Sequence, residues 1–146
     1  MADHLTPVLP SLYLDDETAW LELMAQLVEE RRFAELDHQH LGEYLRDMAR
    51  RDRREVVSRL TVLLAHLLKW EHQPDQRTGS WQATILHQRQ ELRDLLESRT
   101  LRNHAEEGLA RAYERAVKQV MVETGLPQDR LPAACPWPLD EILPEA

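Results

Sequence analysis

Two polar residues interrupt the most apolar part of the chain. Arg59 precedes the stretch LTVLLAHLLKW, Leu60 to Trp70, and His66 lies inside it. They are seven residues apart, which on a helix puts them on one face, roughly 10 Å apart along the axis. An imidazole so placed can act as a general base or a metal ligand, and a guanidinium can hold an anion. The same pair has a structural reading: a hydrogen-bonded core histidine and an arginine matched to an acid on another helix. Buried polar groups need partners on either reading.

A second constellation lies upstream. His40, Glu43 and Asp47 fall within about 60° of one another on a helical wheel, a pattern that suits a metal or an acid–base pair. It equally suits a solvated edge, or carboxylates that neutralise Arg59. His38 and His40 are two apart and point to different faces, so they are not a zinc pair one turn apart. No metal and no cofactor is expected. Gln88 sits in the middle of an apolar stripe, with Arg89 at its edge, and needs a partner; Arg59 and His66 are the candidates. There is no glycine-rich phosphate loop and no nucleophile elbow. The single cysteine, Cys135, lies in a proline-rich tail.

The elements that must position these residues read as helices. Leu60, Leu63, Leu64, Leu67 and Leu68 cover roughly half a helical circumference, and Val62 and Ala65 much of the rest. A helix apolar nearly all round is buried. The prolines cluster at Pro7 and Pro10 and from Pro127 to Pro144, with only Pro74 between. Proline breaks helix interiors, so 11–73 and 75–126 are free to be helical. The expected fold is all-α: one domain, 1–146, with about five helices bundled around a buried central helix at about 52–72. Residues 1–11 form an extended arm, and the tail 127–146 wraps back over the bundle through Leu139, Ile142 and Leu143.

In chain order, Asp15 or Asp16 caps a first helix that runs to about Arg32. Trp20, Leu23, Met24, Leu27 and Val28 form its inner stripe. Asp37 caps a second helix that turns Leu41, Tyr44, Leu45 and Met48 inward. The run Arg50, Arg51, Asp52, Arg53, Arg54 reads as an exposed join, with Asp52 capping the central helix. Thr78 or Ser80 caps the fourth helix. The fifth runs from about Leu101 to Thr124 with small residues Ala105, Gly108, Ala112 and Ala116 inward, and Gly125 ends it.

Composition narrows the function. The formal charge is −8 over 146 residues, which argues against nucleic-acid binding through phosphates. No stretch reaches the twenty or so apolar residues a membrane span needs, and no secretory leader is visible. One cysteine fits a reducing compartment. A soluble cytoplasmic protein is the expectation, one able to meet a basic partner.

The segment Leu63 to Trp70, followed by Gln73, Pro74, Ser80, Trp81, Thr84, Ile85 and Arg89, resembles a bacterial family catalogued as domain of unknown function twenty-nine. The similarity extends from about Tyr13 to Leu143. It includes Trp20, Phe33, Leu36, Asp37, Leu41, Glu43, Asp47 and Met48, and Glu123 through Pro127 to Cys135 and Pro136. The family's adjacent acids after Leu41 are not kept, since Tyr44 and Arg46 stand at two acidic positions. The resemblance implies a compact helical domain and no particular activity. It raises the standing of His66, Lys69, Trp70, Trp81 and Arg89, on which the motif is built.

Two functional readings follow. One is a non-enzymatic module that binds itself or another protein. The other is a small enzyme or ligand-binding protein with an inter-helix pocket around His66, Arg59 and Glu43. Its catalytic candidates are His66, Glu43 and Asp47. Its binding candidates are Arg59, Lys69, Trp70, Trp81, Gln88 and Arg89.

Overall fold

The computed structural model describes residues 9–145, without the side chain of Pro10. The fold is all-α. In order come α1 (Leu9–Asp15), α2 (Glu17–Glu29), α3 (His38–His72), α4 (Gly79–Leu95), α5 (Arg99–Thr124) and the short α6 (Leu139–Ile142). No strand occurs among the described residues. No helix among them is long and apolar enough to cross a membrane.

The chain divides into two compact units after Arg50. In the first, Leu9, Trp20, Met24 and Leu27 form a small core, with Tyr13, Leu36, Leu41 and Tyr44 packed against it. Asp16 caps α2 by accepting from the Ala19 amide. Asp37 accepts from the His40 amide at the start of α3. The extended arm needs correction. Residues 1–8 lie outside the described part, and Leu9–Ser11 are helical, because Leu9 has a core to enter. Proline is tolerated in a first helical turn, where its missing N–H has no intrahelical acceptor.

The join expected at Arg50–Arg54 is absent, and Asp52 caps nothing. Helix α3 runs unbroken for 35 residues. The segment holds no proline, and arginine is a good helix former. Arg50 pairs with Asp47, and Arg59 with Glu55, along the helix itself. A dense run of charge therefore marks an exposed helical stretch and not a break. Two inward expectations also fail: Val28 is 47% exposed and Leu45 60% exposed.

The second unit is built around the apolar half of α3. Val56, Leu60, Leu63, Leu64, Ala65 and Leu68 are fully buried. Ile85 and Leu92 of α4 and Ala105, Ala112, Ala116 and Val120 of α5 complete the core. The small residues of α5 let α3 approach: a Cβ at Gly108 would sit 3.4 Å from Val57 Cγ2. Thr78 caps α4, Ser98 caps α5, and Gly125 at φ 74° closes α5 in the left-handed region.

The tail wraps back as the sequence implied. Leu131, Leu139 and Ile142 are buried in the second core. Polar contacts hold it in place. Tyr113 Oη donates to Pro132 O at 2.6 Å, and Arg102 pairs with Asp140 at 2.7 Å. The Cys135 thiol donates to Trp137 O at 3.3 Å, and burial pushes its pKa up.

Candidate functional site

The C-terminal turns of α3 carry the polar residues best placed to form a site. Lys69 is only 7% exposed, deep for an ammonium. Its Nζ lies 2.7 Å from Glu123 Oε2 on α5 and 5.2 Å from the centre of the Trp81 ring on α4. Carboxylate and indole face together supply the charge and the quadrupole that a buried ammonium requires. The hydrogen bond from Lys69 holds the Glu123 carboxyl below its usual range. Gln73, Gln76 and Thr124 join these three around a cleft of about 470 Å³.

One turn earlier, His66 is half-buried. Its Nδ1 lies 2.8 Å from the carbonyl of Val62 on the same helix. A carbonyl can only accept, so Nδ1 carries a proton. On the same face, Arg59 is fully engaged. Its Nε donates to Glu55 at 2.9 Å, its Nη1 to Gln88 Oε1 at 3.2 Å, and Glu91 lies 3.7 Å from Nη2. Gln88 thus has its partner in Arg59. The acids around Arg59 are Glu55 and Glu91, not Glu43 and Asp47.

Trp70 and Arg89 line a neighbouring depression with Arg77 and Trp137. Arg77 stacks 4.8 Å from the centre of the Trp70 ring and donates to the Trp70 carbonyl at 2.7 Å. Arg89 Nε donates to Ile142 O at 2.9 Å.

Glu43 and Asp47 belong to the first unit and are exposed. Asp47 pairs with Arg50. Glu43 and His66 lie on one unbroken helix, 23 residues or more than six turns apart. His40 is stacked on Tyr13 at 4.4 Å, with its Nδ1 2.8 Å from Asp37. Among the described residues, no three histidine, cysteine or acidic side chains are grouped to hold a metal ion.

The family model described as domain of unknown function DUF29 matches residues 12–146. The chain belongs to this family. Neither a curated protein nor a solved structure is detectably similar to it. The family motif residues Lys69 and Trp81 lie together across α3 and α4, while Trp70 and Arg89 line the adjoining depression. Sequence reasoning gave Glu123 no role. The available signal was Lys69 itself: a lysine within so apolar a stretch of helix demands an acid. Arg77 was also missed, because cation stacking on Trp70 leaves no periodic trace.

Proposed function

We propose that this DUF29 chain is a cytoplasmic, non-enzymatic helical module that binds another protein or a second copy of itself. The observation that carries this reading is how the polar candidates are used. Arg59 is matched to Glu55, Gln88 and Glu91, and Lys69 to Glu123, while His66 is tied through Nδ1 to its own helix. His66 lines neither the Lys69 cleft nor the depression beside Trp70. Large apolar side chains meanwhile stand in solvent, among them Leu86 and Val122. The net charge of −8 supports a protein partner over a nucleic acid.

Native mass spectrometry of the gently purified chain, compared with its denatured mass, tests the reading. A homo-oligomer or a bound protein is expected. A monomer carrying a small molecule that leaves on denaturation would replace this reading with the second. That second reading is a ligand-binding protein, and the polar cleft of Lys69, Trp81 and Glu123 favours it.

A further inference from the structure

The part-buried arginines of the second unit are not equally satisfied. Arg59 has two carboxylates. Arg89, also part-buried, has none among the described residues. Its one hydrogen bond goes from Nε to the neutral carbonyl of Ile142, so Nη1 and Nη2 are unused. Arg93, one turn on, donates from Nη2 to Pro144 O and forms no ion pair among the described residues, although Glu97 and Glu145 line a cleft with it. Burial and the neighbouring Arg93 both press the Arg89 pKa downward. Glu71 and Glu141 line the depression on the other side of Arg89 without forming an ion pair with it. Two adjacent cations are thus without an ion-pair partner among the described residues, on a chain whose net charge is −8.

Both guanidiniums line one groove of about 540 Å³ along α4, together with Gly79, Gln82, Ile85 and Leu86. Residues 82, 86, 89 and 93 recur at helical spacing and share one face. Leu86, 56% exposed, stands about one turn from Arg89. The groove therefore offers fork-shaped donors at one end and aliphatic surface at the other. A guanidinium fork is matched by a carboxylate, which it can hold through two parallel hydrogen bonds.

Resting on the interaction-module reading, we infer that this α4 groove receives a protein partner's segment that presents a carboxylate beside an aliphatic side chain. The carboxylate takes the free nitrogens of Arg89 and Arg93, and the aliphatic group covers Leu86 and Ile85. Charge complementarity selects this occupant, because the charged residues that line the groove are both arginines while the chain as a whole is acidic.

The test is a ¹⁵N chemical-shift titration of the full chain with the blocked peptide Glu-Leu-Ile-Glu and its counterpart Gln-Leu-Ile-Gln. Saturable shifts confined to amides 79–93 are expected, with the acidic peptide about tenfold tighter than the neutral one. Leu86→Ser, at an exposed position, should weaken binding about threefold to tenfold while leaving the thermal melt in place. Arg93→Gln and Arg89→Gln should do the same if the tail stays docked. The inference is overturned by no shifts, by equal response to both peptides, or by shifts that inorganic phosphate alone reproduces at the same concentration. Indifference to Leu86→Ser also overturns it. If the titration fails while native mass spectrometry still finds a protein partner, the site is wrong and the interaction module stands. A lone monomer there removes the broader reading.

Discussion

Lys69 Nζ meets Glu123 Oε2 at 2.7 Å, which ties the end of α3 to the last turn of α5. The two ends of this pair are unequally solvated. The Lys69 side chain is 9% exposed and that of Glu123 40%. Water can therefore replace what Glu123 loses far better than what Lys69 loses.

The asymmetry predicts unequal mutants. Glu123→Gln leaves a buried ammonium without its counter-charge and should cost about 1–3 kcal/mol. That lies below the range for a fully buried pair, because solvent already screens Glu123. Lys69→Met leaves a solvated carboxylate and should cost under about 1 kcal/mol. Urea denaturation of both variants checks this, and equal losses would contradict it. The pH dependence follows from the Glu123 carboxyl, which Lys69 holds below its ordinary value of 4.5. The unfolded chain binds that proton more readily. The contribution is therefore complete above about 4.5 and disappears as pH falls through the lower folded value. Glu123→Gln should flatten that part of the stability curve.

His66→Ala separates the structural from the catalytic reading of the histidine. Val62 O, which His66 Nδ1 contacts, is also placed to accept the His66 amide within the helix, so truncation orphans no carbonyl. A loss of about 0.5–1.5 kcal/mol is expected. Leu64→Ala, two residues away at a fully buried position, should lose about 2–5 kcal/mol. Thermal melts of the two variants give the comparison. A His66→Ala protein more stable than the parent would point to a site held under strain.

Much of this was legible from the chain. The leucines from Leu60 to Leu68, with Val62 and Ala65, mark their helix as central because apolar residues cover most of its circumference. Gly125 and Asp16 mark helix ends through local backbone chemistry. What stayed hidden depends on distant residues. Glu91 and Glu123 lie in other helices, and nothing in their spacing names Arg59 or Lys69 as partner. The Arg50–Arg54 run misleads because charge density says where water is and not where a helix stops. Val28 and Leu45 mislead for the reverse reason: periodicity gives a face but not how far the cover over it extends.

In the first unit, the Trp20 indole donates from Nε1 to Asp37 Oδ2 at 3.1 Å and is fully buried. Trp20→Phe keeps most of the ring and deletes the donor. Asp37 retains His40 Nδ1 at 2.8 Å, so the loss should stay near 1–3 kcal/mol, about what one unsatisfied buried group costs. Native-state hydrogen exchange should show α1 and α2 losing protection while the core amides of 56–68 keep theirs. Uniform loss across both units would contradict this.

Two helix ends use the left-handed region, with different residues in it. Gly125 does so at φ 74°, where glycine has no Cβ to clash. Arg31 does so at φ 58°, the one described non-glycine residue with positive φ. Its amide donates to Val28 O and that of Arg32 to Leu27 O, the paired bonds of a Schellman closure. The closure fixes the backbone, so the side chain must tolerate it at about 1–2 kcal/mol for an L-residue. Arg31 makes no side-chain hydrogen bond or ion pair among the described residues. Arg31→Gly should therefore stabilise the protein, by less than that full amount because glycine also loosens the unfolded chain. Gly125→Ala should destabilise by about 1 kcal/mol or more. Opposite shifts in melting temperature are the expected pair of outcomes. A fall in both would mean that the Arg31 side chain contributes a contact outweighing its backbone strain.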